Sequence, residues 1–178
     1  MNRLSQPVNE NDHVEGQPNA PAVLVEYGDY QCPYCGEAYP VMQEVVQAMG
    51  DQLCFVFRNF PLTEVHPNAL RAAQFAEAAA SVGNFWLAHD LLYENQDALG
   101  EEDLYGYALQ LGLPLPLLNK AFSGRFDNKI SSDFASGVRS GVNGTPSLFI
   151  NGKRYDGERD VQSIVDAIKV AMSYHEAL

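Results

Sequence analysis

Gly28-Asp29-Tyr30-Gln31-Cys32-Pro33-Tyr34-Cys35-Gly36-Glu37 places two thiols three residues apart, directly after the apolar run Val23-Leu24-Val25-Glu26-Tyr27 and directly before an amphipathic stretch from Ala38 to Met49. The order reads as strand, turn, helix. A proline at the first helical position loses nothing, because that N–H has no partner inside the helix. With Pro33 there, Cys32 falls at the N-cap and Cys35 one turn in. The unpaired N–H groups and the positive end of the helix dipole then face the first sulfur and favour its thiolate. The thiolate is the nucleophile, and Cys-X-X-Cys motifs bring a thiol pKa of about 8.5 down to between roughly 3.5 and 7. Such a pair can also be half of a zinc site, or two inert core thiols. Structural zinc takes about four ligands, and the chain has no second Cys-X-X-Cys and no His-X-X-X-His pair. Beside a strand–helix pattern the motif favours redox chemistry with neither metal nor organic cofactor.

Upstream, Val23 to Tyr27 is short, β-branched and almost wholly apolar, as a central strand covered on both faces is. Glu26 is its exception. It either points to solvent at the strand end or lies buried near the dithiol with a raised pKa. Asp12-His13-Val14-Glu15 is a candidate first strand, and residues 1–11 read as a flexible lead. Residues 1–20 are polar and lack the apolar core of 7–15 residues that a secretory leader needs. With Met1 as the natural start the expected location is the reducing cytoplasm, where a dithiol is more often catalytic than structural. Removal of a leader would place the chain in the periplasm instead.

Downstream, Ala38, Val41, Met42, Val45, Val46 and Met49 form one apolar stripe that Gly50 ends, with a kink expected at Pro40. Leu53 to Phe57 reads as a second buried strand, ended by Arg58-Asn59-Phe60-Pro61, with Cys54 as a core residue. Residues 63–124 are helical in pattern. Four helices are expected there: one opened by Pro67 and stopped by Gly83, one carrying Phe85, Trp86 and His89, one from Leu104 to Leu111, and one from Pro116 to Phe122. His66 and His89 suit a cap and a helix face, and Trp86 suits the core. An amphipathic helix over 126–140 follows. Thr145-Pro146, Ser147 to Ile150, Asn151-Gly152 and Lys153 to Tyr155 then spell a tight hairpin with a type I′ turn. Pro146 cannot donate to a sheet, so it occupies a strand start, an edge or a special bond geometry. The last helix buries Val161, Ile164, Val165 and Ile168.

The balance of 11 basic against 23 acidic residues gives a net charge of −12, which argues against nucleic acid and anionic lipid as partners. No apolar run approaches the ~18 residues of a membrane span, so no membrane association is expected.

Taken in order, strand, Cys-Pro-Tyr-Cys helix, strand, helical insert, helix, Thr-Pro, hairpin and helix resemble the DsbA-like branch of the thioredoxin superfamily. There a helical domain interrupts an α/β thioredoxin fold, a central mixed sheet with flanking helices. The resemblance spans roughly residues 12–175 and implies a thioredoxin-like domain over 12–62 and 125–178 with an inserted helical domain over 63–124. It implies a thiol–disulfide oxidoreductase in which Cys32 attacks, Cys35 resolves, and Pro33 and Tyr34 tune the potential. Pro146 would be the cis-proline facing the dithiol, Thr145 would present its backbone to a substrate strand, and Glu26 would exchange a proton with Cys35. The implied partners are disulfide- or thiol-bearing proteins and small molecules, with glutathione or a thioredoxin-type protein as redox partner. DsbA has His where this chain has Tyr34, and Pro-Tyr is the dipeptide of glutaredoxins, so a potential as oxidising as DsbA's does not follow. Against a cytosolic poise near or below about −220 mV most such sites rest reduced, and reductase or exchange activity is the expected direction. The competing possibility is a peptide-binding or chaperone-like module that uses the groove around Thr145 and keeps the dithiol for regulation.

Overall fold

The computed structural model describes residues 3–173, so the ends of the lead and of the last expected domain boundary lie outside the described residues. The elements run β1 (His13–Gly16), β2 (Ala22–Gly28), α1 (Pro33–Met49), a single 3-10 turn (Gly50–Gln52), β3 (Leu53–Asn59), α2 (Ala69–Ala80), α3 (Phe85–Glu94), α4 (Glu101–Gln110), α5 (Leu115–Phe122), α6 (Asp127–Arg139), β4 (Ser147–Ile150), β5 (Lys153–Tyr155) and α7 (Val161–Ser173). The strands form one sheet in the order β1-β3-β2-β4-β5. Only β2 and β3 run parallel, joined by the α1 crossover that a parallel pair needs. This is a thioredoxin fold.

Alternation along the strands separates the two faces of the sheet. Leu24, Phe55, Leu148 and Ile150 pack against Met42, Val45 and Met49 of α1 and Ile164 and Ile168 of α7. Val25, Tyr27, Val56 and Phe149 face the other way, toward Phe60 and Phe134 of α6. A third cluster joins Cys32, Cys35, Tyr30, Tyr39 and Phe57 to the small-residue face of α2 and to α3–α5. The dithiol therefore sits where the sheet, α1 and the helical segment meet.

Several expectations need correction. On α1, Val41 and Val46 are only half buried whereas Tyr39 is buried, because Tyr39 turns toward α3 and donates to Asp90 Oδ1 at 2.9 Å. Pro40, where the kink is expected, needs no such correction: it lies inside this one helix on its exposed side. α2 opens at Ala69 after a His66-Pro67-Asn68 turn, so Pro67 does not begin it. Trp86 is half buried rather than wholly in the core, its indole Nε1 donating to Val14 O of β1 at 3.0 Å.

The largest correction concerns Arg58. It does not end β3; the strand continues through Asn59, and Arg58 is 1% exposed. A buried guanidinium is tolerated only when its N–H groups are met. Nε and Nη2 donate to the two carboxylate oxygens of Asp12 at 2.8 Å each. Nη1 donates to Gln6 O and Tyr27 Oη, both at 3.0 Å, and Nη2 to Pro7 O at 3.1 Å. Residues 6 and 7 of the lead supply two of these five acceptors, and further hydrogen bonds tie the lead to the rest of the fold. Leu4 N donates to Gly152 O and Ser5 N to Ser140 Oγ, both at 2.9 Å.

Candidate active site

The β2–α1 loop is held from three sides. Asp29 is buried and accepts from Gln31 N at 2.8 Å through Oδ1. Its Oδ2 accepts from Leu62 N at 2.9 Å and from His66 Nδ1 at 2.7 Å, which ties the loop to the segment after β3. Gln31 Oε1 accepts from Asn68 N at 2.7 Å. From the α3–α4 connection, Gln96 Nε2 donates to Tyr30 O at 2.8 Å and Cys32 O at 2.9 Å. Gly36 leaves room for that amide: a Cβ there would run into Gln96 Oε1.

Cys32 occupies the N-cap of α1 in extended backbone geometry, with Pro33 as the first helical residue. Its thiol donates to Thr145 O at 3.4 Å. The Cys32 pKa falls from its ordinary value to about 5. The largest cause is the Cys35 thiol donating to the Cys32 thiolate; burial opposes it, and the Thr145 hydroxyl and the N–H groups of Cys35 and Tyr34 add to the lowering. The Thr145 hydroxyl is buried and makes no hydrogen bond with the resting dithiol, so it is available to the charged sulfur. Cys35 is fully buried and its thiol is pushed well up, by burial first, then by its own donation to Cys32 and by the charges of Glu26 and Cys32. Both cysteines are free thiols, as is Cys54, which is buried in β3 with a raised pKa.

Behind the pair lies Glu26, 2% exposed, opposite Phe57 on β3 and Leu148 on β4. Of its two possible environments the buried one is found. Burial raises its pKa to about 8, Arg159 works against that rise, and the Cys32 charge adds to it. Tyr30 packs on Phe57 and Tyr93 with ring centroids 5.2 and 4.9 Å apart. His89 lies among these rings, hydrogen-bonded to Tyr30 Oη at 3.1 Å, and burial lowers its pKa to about 3, so it is neutral. In front of the pair, the Thr145–Pro146 peptide is cis. It borders a groove of about 250 Å³ lined also by Tyr34, Ser147, Arg154 and Arg159. Tyr34 is 64% exposed.

The residues singled out from the sequence thus converge, with Cys32 meeting both Cys35 and Thr145, Glu26 behind them, and Tyr34 and Pro146 at the groove. Asp29, Gln96 and the two arginines were not singled out. Gly36, directly after the motif, was the one local sign that another segment approaches there. Among the described residues no group of three or more His, Cys, Asp or Glu side chains is placed to hold a metal ion.

A dithiol split between the N-terminus of a crossover helix and the core beneath it, faced by a cis-proline loop, defines the class of thioredoxin-fold dithiol proteins. The chain belongs to the thioredoxin family, whose profile matches residues 8–170. Among solved structures it is similar to a thioredoxin-like oxidoreductase from Silicibacter pomeroyi (26% identity, TM-score 0.83, 93% of this chain and 94% of that one). It shares its fold with BdbD from Bacillus subtilis (24%, 0.81, 97% and 100%) and with alpha-DsbA1 from Wolbachia pipientis (20%, 0.81, 97% and 96%), so the fold is the DsbA-like form. Among curated proteins it is 39% identical over 171 residues to Na(+)/H(+) antiporter NhaA 1 of Mycolicibacterium gilvum. It is 40% identical over 165 residues to the NhaA 1 of Salinispora arenicola. The chain spans only 28% and 25% of the length of these two relatives, although 94% and 92% of it is matched.

Proposed function

We propose that this chain is a thiol–disulfide oxidoreductase working through Cys32 and Cys35. The observation that carries the proposal is the placement of the two thiols: Cys32 at the N-cap of α1 against Thr145, where its pKa is lowered, and Cys35 fully buried in the core, where its pKa is raised. The Cys32 thiolate attacks one sulfur of a substrate disulfide; the Cys32–substrate bond forms, the substrate S–S bond breaks, and the departing thiolate takes a proton from solvent. Glu26, with its pKa near neutrality, then accepts the Cys35 proton. The Cys35 thiolate attacks Cys32 Sγ, the intramolecular disulfide forms, and the second substrate thiolate leaves and is protonated. Two electrons pass from the dithiol to the substrate, with one proton drawn from Cys35 by way of Glu26 and one from solvent, and the reverse sequence donates the disulfide. Thr145 presents its backbone to an extended substrate segment, while Pro33 and Tyr34 tune the potential. Asp29 and Gln96 are positioning residues that fix the loop.

A Cys32 pKa of about 5 lies between those of thioredoxin, about 7, and DsbA, about 3.5. We therefore place the potential between roughly −270 and −120 mV. With glutathione or a thioredoxin-type protein as partner in a reducing compartment, the site works as a reductase or exchange enzyme. The segment over 63–124 acts as an inserted helical unit that walls the buried thiol. Among the described residues no helix is long and apolar enough to cross a membrane.

Cys32→Ser is expected to abolish exchange with a model disulfide, and Cys35→Ser to make the first attack and accumulate a mixed disulfide, both followed by mass spectrometry. A Cys32→Ser variant as fast as wild type would overturn the proposal.

A further inference from the structure

With 23 acidic and 11 basic residues, most of this surface is expected to be negative. The groove beside Cys32 is the reverse. Arg154 and Arg159 line it together with Tyr34, Thr145, Pro146 and Ser147, and no carboxylate lines it. Three acids stand close by in sequence; one of them offsets the charge of Arg154, and Arg159 pairs with none of them. Asp156 pairs with Arg154 Nε at 2.8 Å. Asp160 caps α7, its Oδ1 accepting from Ser163 N at 3.0 Å and its Oδ2 from Ser163 Oγ at 2.6 Å. Glu158 contributes its main-chain oxygen, which accepts from Tyr155 Oη at 2.6 Å. Arg154 is fixed by donation to Gly141 O at 2.7 Å. Arg159 is exposed and takes part in no ion pair among the described residues. Thr145 both borders the groove and touches Cys32 Sγ through its carbonyl. Thr145 thus links the groove to the reacting sulfur.

Resting on the exchange activity proposed above, we infer that this groove selects disulfides whose peptide carries a carboxylate within one or two residues of the reacting sulfur, with Arg159 as the specificity-determining residue and Arg154 as its fixed neighbour. Each residue of an extended strand advances about 3.3 Å, so side chains flanking the substrate cysteine fall within reach of the groove as the strand passes Thr145. Charge complementarity of this kind acts on discrimination and encounter rate more than on affinity. The effect is therefore expected in the choice between substrates.

The test uses three matched peptide disulfides, identical except that the cysteine is flanked by Glu, Gln or Lys. Each is mixed with the reduced chain, and the second-order rate of dithiol oxidation is read. Because flanking charge also alters the peptide thiol, the readout is the Glu-to-Lys rate ratio compared between enzyme variants. Arg159→Ala is expected to lower the wild-type ratio about fivefold at low salt. Arg159→Glu is expected to lower it further and Arg159→Lys to keep most of it, with the differences shrinking at about 0.5 M salt. A ratio unchanged by Arg159→Glu overturns the inference. An equal fall for all three peptides also overturns it, because Arg159 would then act on the thiolate and not on the substrate. If wild type oxidises with none of the peptides, the exchange reading fails before the question of selectivity arises.

Discussion

The two sulfurs sit one helical turn apart in opposite surroundings. Cys32 meets donors: the Cys35 thiol, the Thr145 hydroxyl and two N–H groups of the first turn. Cys35 is fully buried within the cluster that holds Tyr30, Phe57 and Tyr93, and it feels the charges of Glu26 and of Cys32 itself. The difference comes from which elements supply the neighbours. The loop before β4 and the helix end stabilise a negative charge on Cys32, whereas at Cys35 burial and neighbouring negative charge outweigh the Asp29 main chain that favours one. One turn of helix is enough to carry the chain from the first environment to the second, so a single motif yields one thiol of lowered pKa and one of raised pKa.

Glu26 gives the largest lever on this contrast. Its carboxyl has a folded pKa of about 8, raised above its ordinary value. Folding therefore binds a proton that the unfolded chain has released, and stability from this group is full below the ordinary pKa and is lost as pH rises through about 8. For a fully buried group the loss is on the order of 3–5 kcal/mol. Cys32 has the opposite sign. Its pKa is depressed to about 5, so its contribution is full above the ordinary thiol value and is lost as pH falls through about 5. In reduced wild type the two trends oppose each other between about pH 5 and pH 8. Glu26→Gln is expected to expose the thiolate trend, with stability to urea rising with pH, and Cys32→Ser the carboxyl trend, with stability falling. Parallel curves for wild type and both variants would break the contrast.

A smaller effect is expected at the loop itself. Gln96→Leu removes two hydrogen bonds to main-chain oxygens and should cost about 1–3 kcal/mol in urea unfolding. Gly36→Ala should reproduce much of this by displacing the Gln96 amide, and the double variant should be little worse than either single one. Additive losses would show that the glycine serves some other contact. The smallest effect is expected for Thr145→Val, which deletes one donor to the thiolate. The midpoint of Cys32 alkylation by iodoacetamide should rise from near pH 5 by about one unit or less, and Thr145→Ser should restore it. An unmoved midpoint would leave the Cys35 thiol and the helix end as the donors that matter.

Local signals carried most of the fold. The apolar run of β2, the Asn151-Gly152 turn with both residues at positive φ, and the glycines that stop α2, α4 and α5 all act within a few residues of where they stand. Arg58 was opaque for the opposite reason. A charged residue after an apolar run reads as the end of a strand, and only a partner 46 positions earlier, Asp12, lets β3 continue through it. The docking of the lead was hidden with it, since its carbonyls are acceptors of that guanidinium. In the site, the cysteines, Thr145, Pro146 and Glu26 were accessible through the motif and the family pattern it resembles. Asp29, Gln96 and Arg159 were not, because a polar contact between segments tens of residues apart leaves no periodicity to read.

Gln96 grips the redox loop by the carbonyls of Tyr30 and Cys32, and every amino acid has a carbonyl. Such a grip is blind to the side chains it holds. Under the proposed function, exchanges at residues 33 and 34 are expected to leave that grip in place, so the potential of the dithiol would change one residue at a time while the holder stays the same.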